Sequence, residues 1–348
     1  MADWVEIVKE VRSVIYPSYL VGGAVRDITQ GVTPKDYDFC TPLLPPEVEA
    51  LIESAGRKVY HVGDKHGTLG MRVDGQQVEI TTFRTEKYTP GSRHPEVSFA
   101  ATLEDDLARR DFTINAMAMD ADTLAVHDPQ GGIDDLMDGV LRAVGNARQR
   151  FKEDPLRLLR LCRFAAKLDF NVHGETTAAA ARCAPSIVNV SRNRWVPELD
   201  AILMCDQPSI GLMMAQSIGI LKFILPEVSI QAGYDQQTPY HSKTLWGHTM
   251  AVVEAAATHG SPELRWAALL HDVGKPFVAR EKNKTFLRDG VEVMQKNYID
   301  HAIVGAEIVQ GIAVRLHWSK LRGDVVYNLV LNHLNEDSPL REYDSKAR

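Results

Sequence analysis

Three acidic residues lie where a strand pattern brings carboxylates together. Asp36 and Asp38 are two residues apart in the run 35–39, and side chains at positions i and i+2 of a strand project to the same face. Glu79, on a later strand-like run, is available as a third carboxylate. Like charges held this close favour a cation between them, and hard oxygen ligands select Mg²⁺. The pattern predicts a two-metal site for phosphoryl or nucleotidyl transfer.

Two glycines precede these acids at the junction between an apolar run and a helix start. Gly22 and Gly23 follow Tyr19-Leu-Val, and Arg26 comes one turn later. Without side chains at the junction, backbone N–H groups and a helix N-terminus approach an anion closely. A tight strand-to-helix turn explains the glycines alone equally well. Their combination with the D-x-D pair in one short window favours a triphosphate site.

Arginines form the second chemical pattern. Arg109 and Arg110 are predicted at a helix start, within reach of a phosphate or ribose. Further on, Arg157, Arg160 and Arg163 recur every three residues, which places them on about a third of a helix circumference. Such a stripe is usually only a solvated face, so the arginines alone leave that alternative open.

Asp154 gives the start of this arginine stripe a sharper interpretation. Cytosine and adenine each present an exocyclic amino donor beside a ring-nitrogen acceptor. A carboxylate acceptor at Asp154 and a guanidinium donor at Arg157 match both edges, whereas uracil and guanine present a carbonyl and an N–H there. The pair is therefore predicted to select C and A without a nucleic-acid template.

Histidines form the third pattern, towards the C-terminal end. His248 lies in an amphipathic helical run, and His271 and Asp272 are adjacent after the apolar run 266–270. This N/O ligand set suits a divalent transition metal. His301 and His333 are candidates for additional ligands, whereas His259 and His317 are interpreted as packing residues.

The elements that must position these residues divide the chain into an α/β part and a helical part. Residues 19–125 contain strand-like runs, among them 70–73 and 77–83, followed by a predicted mobile loop at 84–93. From about Asp134 onward helices are predicted to the end, including a core helix at 210–225. The predicted class is α+β, with a head at 1–140, an all-helical neck at 141–207 and a helical body at 208–348.

Composition excludes two classes of protein. The 348 residues carry 39 Lys and Arg against 46 Asp and Glu, a net charge of −7, which excludes coating nucleic acid by charge alone. The average conceals a basic stretch between Arg142 and Lys167. The apolar runs are too short for a membrane span. Four cysteines without C-x-x-C spacing predict free thiols and a cytoplasmic location.

Over residues 17–205 these motifs resemble the class II tRNA nucleotidyltransferases. That family comprises the CCA-adding enzymes and bacterial poly(A) polymerases and has a polymerase-β-like head. The resemblance implies Mg²⁺ ligation by Asp36 and Asp38, and triphosphate contacts at Gly23 and Arg26. It further implies that the tRNA 3′ end, CTP and ATP are the partners, and that the segment 84–105 is the flexible loop linked to the switch from CTP to ATP. The residues whose implied role is nucleotide binding are Arg110, Asp154, Arg157, Arg160 and Arg163.

The histidine pattern resembles the HD phosphohydrolase domain, expected at about 241–348. It implies a divalent metal, Ni²⁺, Co²⁺ or Mn²⁺, and a distal aspartate for which Asp324 and Asp337 are the candidates. Without that aspartate, the alternatives are a shortened chain or a degenerate site that serves tRNA docking.

The expected function is addition of C, C and A to the tRNA 3′ end from CTP and ATP with release of pyrophosphate. A poly(A) polymerase, a CC-only or A-only enzyme, a regulatory nucleotidyltransferase–HD signalling enzyme and an inactive RNA-binding protein are the alternatives. The oligomeric state is left open.

Overall fold

The computed structural model describes residues 4–63, 67–87, 96–99, 102–238 and 244–347. The chain forms two compact units. The first comprises Met1–Asp154 with Asn171–Thr176, and the second comprises Pro155–Phe170 with Thr177–Arg348. The three-part division into head, neck and body stays a prediction.

The first unit is a mixed α/β structure. Its helices are α1 Trp4–Val14, α2 Gly23–Thr29, α3 Pro45–Ser54, α4 Leu103–Ala108, α5 Gly132–Met137 and α6 Ala147–Glu153. Its strands are β1 Tyr19–Val21, β2 Tyr37–Thr41, β3 Tyr60–Gly63, β4 Thr68–Val73, β5 Gln76–Thr82, β6 Arg84–Lys87, β7 Glu96–Phe99, β8 Ala118–Asp120, β9 Val126–His127, β10 Val140–Leu141 and β11 Asn171–Val172.

One seven-stranded sheet organises this unit, in the order β3-β4-β5-β2-β1-β8-β9. In β5, Val78, Ile80 and Thr82 are buried while the residues between them are only half-buried, as the period-two alternation predicted. The central strand β2 runs parallel to β5 and antiparallel to β1. Side chains on these three strands therefore meet on one face of the sheet.

Helices dominate the second unit. They are α7 Arg157–Leu168, α8 Gly174–Cys183 (which begins in the first unit), α9 Arg192–Leu203, α10 Pro208–Ser217, α11 Leu221–Ile224, α12 Pro226–Ser229, α13 Leu245–Ala255, α14 Pro262–Leu270, α15 Lys275–Val278, α16 His301–Arg315, α17 Lys320–Leu331 and α18 Pro339–Ala347. Two antiparallel strands, β12 Arg280–Arg288 and β13 Val291–Asn297, interrupt them.

The α+β class predicted from the sequence is confirmed, but three local predictions were wrong. The helical part is not all-helical, because Asp289 and Gly290 turn β12 into β13 with φ of 52° and 77°, as a two-residue hairpin turn requires. The core helix at 210–225 is two helices, because Gly219 takes a φ of 77° and ends α10. Arg109 and Arg110 follow the end of α4 and do not begin a helix.

The segment predicted as a mobile loop, 84–93, falls partly outside the described residues, which omit 88–95 and 100–101. Its described beginning is β6, which pairs antiparallel with β7. All four cysteines are free thiols. No described helix has both the length and the apolar character needed to cross a bilayer.

Candidate active site and metal centre

The three predicted carboxylates come together at neighbouring positions of the sheet. Asp38 of β2 is in register with Glu79 of β5 on one side and with Val21 of β1 on the other. Asp36 immediately precedes β2, and both aspartates are exposed, whereas Tyr37 between them is buried. The i, i+2 spacing thus places both acids on one face, as predicted.

Their electrostatics show that the carboxylates interact. Desolvation and the charge of Asp36 raise the pKa of Asp38, against the opposing effect of Arg110. Desolvation and the charges of Asp38 and Asp36 raise the pKa of Glu79. Both shifts reflect desolvation together with the mutual repulsion of the acids, and clustered hard oxygen donors of this kind fit a divalent cation such as Mg²⁺.

Arg110 is held beside the carboxylates by a buried acid. Asp106 is fully buried and pairs with Arg110 at 3.1 Å and with Arg109 at 2.6 Å. Burial alone would raise the pKa of Asp106, but Arg110 and Arg109 outweigh it and lower that pKa. The Arg110 Nε–H is buried and has no acceptor among the described residues. It is therefore a donor that a ligand could use.

Gly22 lets Arg110 approach the start of α2. Its φ is 69° and ψ is −131°, a conformation that favours glycine. A Cβ at this position would lie 3.1 Å from Arg110 Nη1. The glycine is therefore required by both the backbone conformation and the close contact.

Arg26 differs in its surroundings from what the sequence predicted. It is 2% exposed, its Nη2 donates to Asp27 at 2.6 Å, and its Nη1 donates to Asn115 at 2.7 Å. Asn115 in turn donates to Asp111 at 3.2 Å. These contacts tie α2 to the 3₁₀ turn Thr113–Asn115, and the predicted triphosphate contact of Arg26 stays a prediction.

The residues predicted to select the base belong to different units. Asp154 is the last residue of the first segment of the first unit, and Arg157 begins α7 in the second unit. Within the second unit, Arg163 Nε donates to Glu198 at 2.6 Å, and Arg160 lies 3.8 Å from the same carboxylate. Glu198 therefore orients Arg160 and Arg163. The nucleotide contacts of these arginines stay a prediction.

The histidines form a buried cluster with two groups of ligand atoms. His248, His271 and Asp344 make one group, and Asp272, His301 and His333 make the other. Within each group the ligand atoms all lie within 4.8 Å of one another. Asp272 connects the groups, because Oδ2 lies 3.1 Å from His271 Nε2 and Oδ1 lies 3.3 Å from His301 Nε2.

Asp344 of α18 is the distal aspartate that sequence reasoning missed. Its Oδ1 lies 2.9 Å from His248 Nε2, whereas both candidates named from the sequence, Asp324 and Asp337, are exposed. A local signal existed: Leu340, Asp344 and Ala347 are the buried residues of an otherwise polar helix. Their spacing follows one helix face, so periodicity alone is a signal that could have identified this acid as pointing inward.

The hydrogen bonds of the rings show that the cluster fits metal ions. His271, His301 and His333 direct Nδ1 at backbone carbonyls at 2.9, 2.7 and 2.7 Å. A carbonyl only accepts, so each Nδ1 carries a proton, and Nε2 of each ring is directed into the cluster. His301 Nε2 and His333 Nε2 face each other at 3.2 Å.

Two ring nitrogens this close need either a proton or a metal ion between them. Burial lowers the pKa of His333 to about 4, so that ring is neutral at pH 7. Burial would raise the pKa of Asp272, but His271 and Lys275 lower it well below its usual range, so Asp272 is ionised. Neutral imidazoles and ionised carboxylates are the donor set that divalent transition metals take.

A sheet with three interacting carboxylates, followed by helices with a histidine–aspartate cluster, defines a nucleotidyltransferase head combined with an HD domain. Residues 18–142 match the family "Poly A polymerase head domain", residues 169–231 match "Probable RNA and SrmB- binding site of polymerase A", and residues 245–347 match "HD domain". Three regions of the chain thus match the head, the RNA-binding region and the HD domain that the resemblance to the class II tRNA nucleotidyltransferases implied. Both families generally use divalent metals.

Curated relatives and solved structures agree with this family. A CCA-adding enzyme of Leuconostoc mesenteroides is 36% identical over 70% of this chain and 61% of its own length. The Geobacillus stearothermophilus enzyme is 34% identical over 81% of this chain and 64% of its own length. The Bacillus stearothermophilus CCA-adding enzyme in complex with CTP superposes with a TM-score of 0.62 at 25% identity, over 99% of this chain and 80% of that one. The chain thus spans less than two thirds of the length of these curated relatives.

Proposed function

We propose that this protein adds C, C and A to the 3′ end of tRNA, with CTP and ATP as substrates and pyrophosphate as the second product. The observation that carries the proposal is the register of Asp38 with Glu79, next to Asp36, in a head domain of this family. The named relatives are CCA-adding enzymes, and the solved structure named above is a CCA-adding enzyme in complex with CTP.

The residues of the head have distinct roles in this proposal. Asp36 and Asp38 hold Mg²⁺, which when bound supplies charge neutralisation for the tRNA 3′-OH and the triphosphate. Glu79 adds negative charge to the same face and helps retain the cation. Gly22 and Gly23 let backbone N–H groups approach the triphosphate, and Arg110 donates to it or to the ribose.

Asp154 and Arg157 select the base by hydrogen bonding to its Watson–Crick edge. Arg160 and Arg163, oriented by Glu198, supply positive charge on the same helix. Asp154→Ala should relax discrimination against UTP and GTP by about 5–150-fold, since one good bidentate contact contributes about 1–3 kcal/mol. Unchanged selectivity in single-nucleotide incorporation assays would refute this assignment.

The decisive experiment supplies tRNA without its CCA end together with CTP, ATP or both, and measures product lengths on a gel. The proposal requires two additions with CTP and a third only when ATP is also present. A long A tract identifies a poly(A) polymerase, and a product that stops after CC, or accepts only A, identifies a restricted enzyme. Asp36→Ala should abolish incorporation and keep tRNA binding, whereas Glu53→Ala, at an exposed acid of α3, should retain both.

The HD cluster favours a second activity, metal-dependent phosphohydrolysis. Asp272 of the second ligand group also contacts His271 of the first. Each group offers nitrogen and carboxylate donors suited to Ni²⁺, Co²⁺ or Mn²⁺. When bound, the metals supply a nucleophilic water at neutral pH and polarise a phosphoryl group. Lys275 Nζ, 2.7 Å from Asp272 Oδ2, orients that carboxylate within the cluster.

This second activity is tested on protein loaded with each metal, using 2′,3′-cyclic nucleotides and p-nitrophenyl phosphate. Asp344→Asn should lower metal content and abolish hydrolysis. Asp324→Asn changes an exposed acid of α17 and should leave both unchanged. Loaded protein that hydrolyses neither substrate would leave the cluster with a structural role only.

A further inference from the structure

We propose that the cavity beside the histidine–aspartate cluster binds a nucleotide with two phosphate groups, and that Lys282 and Lys296 bind the second phosphate. The inference rests on the proposed metal-dependent activity of the cluster, whose metals would bind the first. The cavity has a volume of about 540 Å³, and its lining includes Asp272 together with both lysines. This volume is in the range of sites for small organic ligands, about 300–1,000 Å³, and far exceeds what inorganic phosphate needs.

The lysines that line the cavity differ in whether they already form an ion pair. Lys275 is 6% exposed, and its ammonium group contacts Asp272 at 2.7 Å and Gln236 at 3.0 Å. By contrast, neither Lys282 nor Lys296 forms an ion pair with any residue of the described ranges. Lys296 Nζ lies 5.8 Å from the centre of the Tyr234 ring, and its charge helps to lower the pKa of Asp235. Two lysines that line a cavity without a close carboxylate are suited to a phosphate.

The strand pair that carries these lysines is fixed over the cavity. Lys296 N–H donates to Gln237 O at 2.9 Å, and Arg288 pairs with Asp235 at 2.8 Å. The register of β12 shifts between Glu281 and Thr285, which is where Lys282 lies. Such an irregularity redirects a strand side chain, so it explains how Lys282 and Lys296, on different strands, line the same cavity.

The charges of the cavity favour more than one phosphate. Its lining has equal numbers of lysines and aspartates, so the charges of these side chains cancel. Two divalent cations would then add four positive charges. A single phosphate dianion would neutralise only half of that charge, whereas a second phosphate approaches balance. The residues in this count are Lys275, Lys282, Lys296, Asp272, Asp300 and Asp344.

An apolar wall suits the organic part of the ligand. Ile299, Ile303 and Leu334 line the cavity and are 68%, 51% and 50% exposed. Exposed apolar side chains beside cationic ones match a flat base attached to phosphates. The second phosphate can be bonded to the sugar, as in adenosine 3′,5′-bisphosphate, or to the first phosphate, as in ADP. Both ligands combine a flat base with two phosphate groups.

The test measures ligand binding locally, by hydrogen exchange, in protein loaded with Mn²⁺, so that the metals that bind the first phosphate are present and the readout does not depend on turnover. Hydrogen exchange of the peptide spanning 280–297 is followed against increasing adenosine 3′,5′-bisphosphate, ADP and AMP, which separates this cavity from nucleotide binding in the head. We expect half-maximal protection at a concentration at least tenfold lower for one of the two bisphosphorylated ligands than for AMP. The preferred one identifies the spacing between the phosphates.

Variants then test whether Lys282 and Lys296 bind the second phosphate. The double variant Lys282→Ala/Lys296→Ala should reduce the preference over AMP to less than twofold, whereas Lys284→Ala, on the same strand but outside the cavity lining, should keep it. Equal protection by AMP and both other ligands would overturn the proposal, as would a preference unaffected by the double variant. Metal content of the wild type and of the double variant is measured separately. Absence of metal from both would refute the phosphohydrolase proposal and with it the binding of the first phosphate by metals, whereas bound metal without a preference over AMP would overturn only the assignment of the second phosphate.

Discussion

Gly274 is the position where one added methyl group should disable the metal cluster. It directly follows the His271-Asp-Val run, and a Cβ there would lie 2.2 Å from His301 O and 2.7 Å from Gly305 N. Non-bonded heavy atoms settle at about 3.5–4.0 Å. Both contacts are with the backbone of α16, which cannot rotate away as a side chain would. Gly274→Ala therefore requires α16 to withdraw by about 1 Å.

That displacement exceeds the tolerance of a metal site. His301 Nε2 lies 3.3 Å from Asp272 Oδ1 and 3.2 Å from His333 Nε2, and metal–ligand distances are held to about 0.2 Å. A shift of about 1 Å removes His301 from its group of three ligands. The overpacking itself should cost about 1–3 kcal/mol of the stability of the second unit.

Gly311→Ala is the matched control, because it changes a glycine of the same helix that has open space around its Cβ. It should stabilise α16 by about 1 kcal/mol. Metal content by elemental mass spectrometry and melting temperature with and without Mn²⁺ report the outcome. If Gly274→Ala binds as much metal and melts at the same temperature as the wild type, the close approach of α16 to Gly274 is refuted.

Three further predictions concern the first unit. Asp106→Asn should destabilise it by about 2–3 kcal/mol, which is below the roughly 3–5 kcal/mol typical of a broken buried pair because the arginines are partly exposed. The control Glu104→Gln should have little effect. Since Arg110 and Arg109 lower the folded pKa of Asp106, urea titrations should show the full loss of stability at pH 7 and a smaller loss below about pH 4. Gly22→Ala, at φ 69° and 3.1 Å from Arg110 Nη1, should cost about 1–3 kcal/mol in the same titrations and raise KM for CTP; an unchanged KM would contradict the placement of Arg110. Burial raises the pKa of Cys40, so this thiol should resist iodoacetamide at pH 8 until the protein is unfolded, and rapid alkylation seen by mass spectrometry would contradict its burial.

The sequence predicted the carboxylate site well because strand geometry is local. The i, i+2 spacing of Asp36 and Asp38 suffices to place both on one face, and the alternation around Glu79 identified a second strand. The turn of the second-unit hairpin was also marked in the sequence by Asp289-Gly290. It was overlooked because the flanking strands are rich in charges and their apolar residues are few.

Partners distant in sequence could not be predicted in this way. Arg26 was interpreted from its charge and its position after the glycines, but its guanidinium contacts Asn115, 89 residues away. Asp344 contacts His248 across a similar distance along the chain. Charge and spacing indicate that a residue can bind an anion or a metal, whereas tertiary packing decides whether the protein already supplies that partner.

This distinction separates structural from functional charges throughout the chain. Asp106 is fully buried and fully compensated by two arginines, and its pKa is lowered accordingly. Asp38 and Glu79 lie on adjacent strands, and their pKa values are raised because desolvation and the neighbouring carboxylates outweigh the effect of Arg110 on Asp38. The facing Nε2 atoms of the histidine cluster are the corresponding case for nitrogen. Groups that the fold places together without fully compensating them are suited to a ligand from solution, and the two such groups discussed for the described residues have the donor chemistry of divalent metal sites.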